Sequence, residues 1–167
     1  MQNSFKTNRL LLNPIDLSDA DFIVELVNLP DWIKYIGQRH IDSTDAAKDY
    51  IVRMIDSANL KYWVVKLQEG QTAIGIITLI KREYLEHHDL GFAFLPEYRK
   101  RGYAYEAAAV ILCEMKKDPS HTHVLATTKT DNRNSIRLLE SLGLQHEKEV
   151  QIEQESLLLY SIATNCL

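Results

Sequence analysis

The chain has few of the features that mark specialised classes of protein. Its two cysteines, Cys113 and Cys166, exclude a disulfide-rich scaffold and form no C-x-x-C pair. No apolar run approaches the roughly 20 residues of a membrane-spanning helix, and the first residues lack the apolar core of a signal peptide. The net charge of −4 gives no general attraction to nucleic acid. We therefore expect a cytoplasmic protein without membrane or nucleic-acid partners.

The composition that remains is that of an ordinary globular protein. Of its 167 residues, 46% are hydrophobic and 25% are charged, which lies well inside the globular range. This length suits one domain with a substantial core, and the sequence shows no repeat or linker. We expect residues 1–167 to form a single domain.

Two common phosphate-binding motifs are absent, since neither GxxxxGK followed by Ser or Thr nor GxGxxG occurs. A different anion site is nevertheless indicated by an apolar strand, a basic loop and an alanine-rich helix over residues 89–117. The free N–H groups at the helix N-terminus carry partial positive charge. Three adjacent cations, Arg99, Lys100 and Arg101, add to it, and Gly102 leaves the main chain open to a ligand. The pattern predicts a site for phosphate or pyrophosphate.

The same loop, continued through Tyr103 and Ala104, reads R-x-x-G-x-A. It resembles the pyrophosphate loop of the GNAT superfamily of acyl-CoA-dependent N-acyltransferases. Downstream, residues 132–144 read NRNSIRLLESLGL, which is similar to the N-x-x-S-I-R-x-L-E-x-L-G-F signature of that superfamily's ribosomal-protein-acetyltransferase (RimJ/RimL-type) branch, with Leu144 in place of Phe. Both strings occur in the family's order and at its usual separation.

Hydrophobic periodicity divides the chain into elements that suit this resemblance. A strand over 7–15 precedes a helix that starts near Ser18 and stops at Pro30, and a second helix starts at Ser43 or Thr44. Residues 62–67 and 72–80 predict a hairpin, and 144–152 and 156–162 predict two closing strands.

The resemblance implies an α/β (α+β) protein with the GNAT fold. That fold has a single mixed, mostly antiparallel sheet of about seven strands, whose fourth and fifth strands splay apart, and about four helices. The acetyl-CoA pantetheine arm enters the gap and pairs with the fourth strand, here the backbone near Phe94 and Leu95. Asn132 is then placed against the pantetheine. No metal is expected, although His121 and His123 form an H-x-H pair.

Direct acyl transfer to an amine needs a proton acceptor and benefits from an acid at the leaving thiolate. The resemblance places Ser135 near the CoA sulfur, so Ser135 is either that acid or only a helix cap. Asp89 is favoured as the base, acting directly or through water. Because neighbours on a strand face opposite sides, His88 and Asp89 cannot both reach the cleft. The other base candidates nearby are Glu83, Glu86 and His87.

Acceptor specificity is expected from the variable N-terminal helices and the cleft loops. Trp32, Tyr35 and Arg39, between the two predicted helices, and Tyr84 with its neighbours Lys81 and Arg82 are the candidates. Alternatively, Trp32 and Tyr35 only pack the helices. The activities implied are acetylation of a protein α-amine, acetylation of a small amine, or silent binding of acyl-CoA by a sensor domain. Monomers and homodimers are both compatible with the resemblance.

Overall fold

The computed structural model describes residues 3–152 and 154–166. Its strands are β1 (Phe5–Lys6), β2 (Leu10–Pro14), β3 (Leu60–Leu67), β4 (Ala73–Ile80), β5 (His88–Phe94), β6 (His123–Lys129), β7 (Gln145–Ile152) and β8 (Glu155–Ala163). Its helices are α1 (Ala20–Val27), α2 (Pro30–Tyr35), α3 (Thr44–Asp56), α4 (Tyr103–Lys117) and α5 (Arg133–Ser141). Among these helices there is no candidate for a membrane span, which would need both greater length and a more apolar sequence.

The strands form one sheet in the order β1-β2-β3-β4-β5-β6-β8-β7. Neighbouring strands are antiparallel except β5 and β6, which are parallel. The expected mixed α+β fold is therefore confirmed. The sheet has eight strands where about seven were expected, and the additional one is the short β1 at the edge of the sheet. Its Phe5 pairs with Leu12 of β2 and packs against Trp63.

The sequence had suggested that Pro30 ends the first helix, but the structure shows otherwise. Helix α1 already ends at Val27, and Pro30 is the first residue of the short helix α2. This position suits proline because its missing N–H would have no partner there and its fixed φ matches the helix. Trp32 and Tyr35 consequently lie on a helix of their own instead of in a connection.

The two faces of the sheet bury separate cores. Helices α4 and α5 cover the first face, where Ile77 and Leu79 of β4 are buried. Helices α1, α2 and α3 cover the second face, where Ile76 of β4 is buried with Trp32. Because side chains alternate along a strand, one run of apolar residues in β4 serves both cores. This explains why β4, AIGIITLI, is apolar almost throughout.

The functional architecture depends on how β5 and β6 separate. Their parallel pairing is limited to His88 with Val124 and Asp89 with Leu125. Beyond these two pairs each strand continues beside its other neighbour, β5 along β4 and β6 along β8. The result is a wedge-shaped gap in the middle of the sheet, open toward the carboxyl ends of both strands.

Candidate active site

The edge of β5 that faces the gap carries backbone groups able to bind an extended ligand. The Leu95 N–H donates to the Ile74 carbonyl of β4 at 2.9 Å. Since hydrogen-bonding direction alternates along an antiparallel strand, the amides of Phe92 and Phe94 point to the gap. Of the two residues expected from the sequence, Leu95 has its N–H already used within the sheet and its side chain buried on the α1–α3 face, so Phe94 is the one whose amide is available to a ligand. Phe94 thus stays a candidate for binding the pantetheine, and the structure adds Phe92, which the sequence analysis did not name.

The basic loop leads to the N-terminus of α4 in a conformation that leaves its amides accessible. Gly102, with a φ of +80°, occupies the N-cap position, and no side chain of residues 3–152 or 154–166 caps the helix. A left-handed φ of this size favours glycine. Tyr103 and Ala104 follow in the first helical turn and line the cleft together with Lys100. The free N–H groups of this turn form the positive end of a helix of 15 residues.

The three cations of the loop have different environments. Arg99 donates its Nε–H to the Phe94 carbonyl at 2.9 Å and also pairs with Asp31 of α2. Its guanidinium therefore fixes the end of β5 and is already paired within the protein. The Arg101 side chain is exposed and does not line the cleft. Lys100 is the cation of the three that lines the cleft without a carboxylate partner among the described residues.

Hydrogen bonds between Glu106 and the turn after β1, which the sequence analysis did not predict, hold this loop in place. The Glu106 carboxylate in α4 accepts from the Thr7 hydroxyl at 2.6 Å, from the Arg9 N–H at 2.9 Å and from the Arg9 Nε–H at 2.7 Å. Partial burial acts to raise the pKa of Glu106, but these hydrogen bonds prevail and lower it. Arg9 also donates from Nη1 to the Arg101 carbonyl at 3.0 Å. Thr7 and Arg9 thus fasten the turn between β1 and β2 to α4 and to the loop before it.

Helix α5 brings the second motif to the opposite side of the gap. The Asn132 side chain accepts from the Ser135 N–H at 3.2 Å and caps the helix. Both side chains line the cleft, as does Arg137 one half-turn further on. Asn132 therefore has a structural task of its own, which leaves its amide N–H₂ group as the part able to reach a ligand.

Asp89 lies where β5 and β6 begin to separate and is almost fully buried. Its carboxylate accepts from the Thr127 N–H at 2.9 Å, from the Thr127 hydroxyl at 3.2 Å and from the Arg82 guanidinium. Burial raises the pKa of Asp89, although Arg82 and Thr127 act in the opposite direction. Asp89 lines the cleft, so a raised pKa and position both suit a proton acceptor.

The remaining base candidates lie outside the cleft. Glu83 and Glu86 are exposed, and neither lines it. His87 stacks on His123 with ring centroids 5.1 Å apart, and His88 stacks edge-on against His121 at 4.9 Å. The described residues contain no group of three or more side chains suited to a metal ion. Lys81, which the sequence analysis named on the acceptor side, does not line the cleft either. Its ammonium donates to the Leu85 carbonyl at 3.0 Å and to the Glu86 carbonyl.

The gap widens into a cleft of about 910 Å³ that reaches the acceptor-side residues named from the sequence. Trp32, Tyr35, Arg39 and Tyr84 all line it, and Arg82 does so beside Tyr84. One continuous cavity is therefore lined by the loop before α4, by the strands beside the gap and by α2. This volume is at the upper end of typical small-molecule sites and suits two substrates.

Helix α2 lines this cleft and is joined by ion pairs to elements on both sides of the gap. On one side its Asp31 pairs with Arg99 of the loop, and on the other its Lys34 pairs with Asp131 at 2.7 Å, next to the Asn132 cap. The hydrogen bond to Asp131 is the main reason why the pKa of Lys34 is raised. A helix of six residues with few buried side chains depends on such contacts for its position.

Comparisons with known proteins agree with this geometry. A family model described as "Acetyltransferase (GNAT) domain" matches residues 9–145. The uncharacterized N-acetyltransferase YnaD of Bacillus subtilis is 28% identical over 141 residues, which cover 84% of this chain and 82% of that protein. The ribosomal-protein-S5-alanine acetyltransferase of Vibrio fischeri superposes with a TM-score of 0.82 at 21% identity, covering 98% of both chains.

A second solved structure contains a cofactor. The spermidine N-acetyltransferase of Vibrio cholerae, solved with CoA and spermine, superposes with a TM-score of 0.79 at 17% identity and covers 95% of this chain and 98% of its own. At these identities the two structures show a common fold. The family match extends over most of the chain and contains the loop, the gap and the α5 cap. The chain therefore belongs to the GNAT acetyltransferase family and is an acyltransferase.

Proposed function

We propose that this protein transfers the acetyl group of acetyl-CoA directly to a primary amine. The observation that carries the proposal is the alignment of two anchors on one cavity. The uncapped N-terminus of α4 behind Gly102 suits a pyrophosphate, and the gap-facing amides of Phe92 and Phe94 suit the amide groups of a pantetheine arm. An extended arm held at both anchors leaves its thioester in the gap beside α5.

The residues of the gap can then divide the proton transfers. Asp89, directly or through a water molecule, accepts the proton that the amine must lose before it can attack. Attack on the thioester carbon forms the nitrogen–carbon bond, and collapse of the tetrahedral state breaks the carbon–sulfur bond. The Ser135 hydroxyl, on the α5 side of the cleft, donates a proton to the departing thiolate. The products are the acetylated amine and CoA with a free thiol.

Asp89 has a positioning task in addition to its proposed chemical one. Its contacts with Arg82 and Thr127 join the β4–β5 connection to β6 at the point where the gap begins. A carboxylate at this point therefore fixes the width of the gap as well as its electrostatic field. The acceptor amine belongs either to a protein N-terminus, as the resemblance of residues 132–144 to the ribosomal-protein-acetyltransferase signature suggests, or to a small molecule, and the charges of the cleft bear on this choice.

The test is thiol release from acetyl-CoA, with mass spectrometry of the products, against a pool of short peptides with free N-termini and a pool of small amines. We expect acceptor-dependent release of CoA thiol and a product heavier by one acetyl group. Binding of acetyl-CoA without release in either pool would favour a silent acyl-CoA-binding domain. A protein that binds no acetyl-CoA would contradict the proposal itself.

A further inference from the structure

The cleft is lined by more cationic than anionic side chains, and this difference bears on the acceptor. Three carboxylates of described residues line it, Asp31, Asp89 and Glu155, and each is paired, with Arg99, Arg82 and Lys129 respectively. Six cationic side chains line the same cavity: Arg39, Arg82, Arg99, Lys100, Lys129 and Arg137. Three cations, Arg39, Lys100 and Arg137, therefore lack a carboxylate partner within residues 3–152 and 154–166.

The unpaired cations lie in two separate places. Lys100 belongs to the loop before α4, and Arg137 to α5, so both accompany the elements proposed to hold acetyl-CoA. Arg39 lies in the connection after α2, on the side of the α1–α3 core. Its guanidinium carbon is 5.9 Å from the centre of the Trp32 ring. The acceptor end of the cleft thus has a positive charge that the protein itself does not neutralise.

The surroundings of Arg39 leave its donors available. Its contacts with the carbonyls of Gly37 and Gln38 are 3.4 Å long, at the weak limit for a hydrogen bond. Beside it, the Trp32 indole N–H is buried and has no acceptor among the described residues. A buried donor without a partner is uncommon and costs free energy. The field of Arg39 also reaches the buried Tyr62 hydroxyl, where burial raises the pKa and Arg39 opposes that rise.

We infer that the acceptor is an amine that also carries a carboxylate beside an apolar side chain, as an α-amino acid does, and that Arg39 binds this carboxylate. The inference rests on the proposed acetyltransferase activity and specifies its substrate class. Arg39 offers the planar fork that carboxylates pair with best. The cavity that Arg39 lines has apolar and aromatic walls, which include Trp32, Tyr35, Ile36 and Met54. A polycationic amine finds no unpaired carboxylate among the described lining residues.

The positive charge of this subsite also favours the chemistry. A cation close to an amine disfavours its protonated form and lowers its pKa, so more of the amine is a nucleophile at neutral pH. The substrate's carboxylate, bound by Arg39, offsets the repulsion that would otherwise keep the amine out. The attack itself is the acyl transfer already described, in which the amine loses a proton and the CoA sulfur gains one.

The experiment compares L-phenylalanine with phenethylamine, which has the same amine and ring but no carboxylate, and with spermidine. Thiol release gives kcat/KM for each in the wild type, in Arg39→Gln and in Arg53→Gln, a matched loss of charge on an exposed residue of α3 outside the cleft. We expect the ratio of phenylalanine to phenethylamine to fall at least about tenfold in Arg39→Gln and to stay unchanged in Arg53→Gln. Because intrinsic amine reactivity cancels in this comparison, only the carboxylate contact is measured. An unchanged ratio in Arg39→Gln, or a preference for spermidine, would overturn the inference.

A binding measurement separates failure of this inference from failure of the proposed function. The chain has two tryptophans, so the indole N–H of Trp32 gives one of the two indole resonances in a ¹H–¹⁵N correlation spectrum. N-acetyl-L-phenylalanine should shift it in the wild type and not in Arg39→Gln, whereas N-acetylphenethylamine should leave it in place. If no amine is acetylated but this pattern holds, the subsite stands and the transferase proposal falls. Equal shifts from both compounds, or none, would overturn the subsite.

Discussion

At the scale of single residues, Gly102 is the position where a ligand and the backbone come closest. Replacement by Glu puts a side chain and a negative charge at the N-terminus of α4, where a pyrophosphate is proposed to bind. We expect Gly102→Glu to weaken acetyl-CoA binding at least about 100-fold, or roughly 2.7 kcal/mol, in isothermal titration calorimetry. Its φ of +80° makes any side chain there strained as well.

A matched variant separates backbone strain from loss of the ligand site. Gly70, in the exposed β3–β4 turn, has a φ of +75° and ordinary contacts for an added Cβ. Gly70→Glu therefore introduces the same side chain with similar backbone strain, about 1–2 kcal/mol, at a residue that does not line the cleft. Wild-type affinity in Gly70→Glu with a large loss in Gly102→Glu is the expected pair of results. Equal affinities in both variants would remove the pyrophosphate from this loop.

Ser135 can be tested against a serine on the same helix. If its hydroxyl protonates the leaving thiolate, Ser135→Ala should lower kcat about 100-fold while the acetyl-CoA dissociation constant changes little. Ser141, whose hydroxyl donates to the Leu138 carbonyl at 2.7 Å near the end of α5, provides the control. Ser141→Ala should leave both constants unchanged. A Ser135→Ala enzyme with wild-type kcat would reduce Ser135 to a residue of the helix cap.

Asp89 has two proposed tasks that a pH profile can distinguish. Because burial raises the pKa of Asp89 above its ordinary value, the inactive protonated form accumulates at a higher pH than for an exposed aspartate. The rate of the wild type should therefore fall on the acidic side of the profile. Asp89→Asn should lower kcat/KM about 100-fold and abolish this acidic limb. Loss of thermal stability with the limb intact would indicate that Asp89 only fixes the gap.

At the scale of elements, α2 is the part whose position depends on ion pairs across the cleft. The Lys34 and Asp131 side chains are both exposed, so their pair has a modest effect that salt screens. We expect Lys34→Asp to speed association and dissociation of acetyl-CoA about two- to fivefold in stopped-flow measurements at low salt. The double variant with Asp131→Lys restores the pair in reverse and should return both rates toward those of the wild type. Rates that do not respond to either change would show that α2 does not restrict entry.

The elements that local pattern predicted well are those with strong periodicity or a fixed motif. The β3–β4 hairpin, the start of α3 at its Ser43 cap and the two closing strands agree with the structure within a few residues. Helix α2 was missed because proline is compatible with both the end and the first turn of a helix, and its context decides. Strand β1 is too short to show alternation.

The site was predictable to the extent that it is built from contiguous sequence. The loop from Arg99 to Ala104 and the cap at Asn132 follow from motifs, and apart from Arg101 these residues of the loop and the cap line the cleft. The partners of these residues could not be inferred, because Arg99 bonds to Asp31 across 68 positions and Arg9 to Glu106 across 97. The direction of backbone groups at Phe94 and Leu95 also required the register of β4 and β5.

At the scale of the whole molecule, the two cores share one sheet and should unfold together. Each core contains one of the two tryptophans, Trp63 on the α4–α5 face and Trp32 on the α1–α3 face. Variants that keep a single tryptophan, through Trp32→Phe or Trp63→Phe, therefore report on one core each. Coincident fluorescence and circular dichroism transitions are expected within each variant. A fluorescence transition separate from the loss of secondary structure would show that the cores unfold independently.

Acetyl-CoA should stabilise the molecule as a unit, because its proposed anchors lie on both sides of the gap. One side is β5 with the loop before α4, and the other is α5, while β5 and β6 themselves pair at only two positions. At a ligand concentration of about 100 times the dissociation constant, binding adds about 2.7 kcal/mol to stability. For a domain of this size that corresponds to a rise in Tm of about 5–10 °C. Both single-tryptophan reporters should show the same rise, and Gly102→Glu should abolish it. A rise seen by Trp63 but not by Trp32 would confine the bound ligand's effect to the α4–α5 face and contradict a ligand that couples both halves.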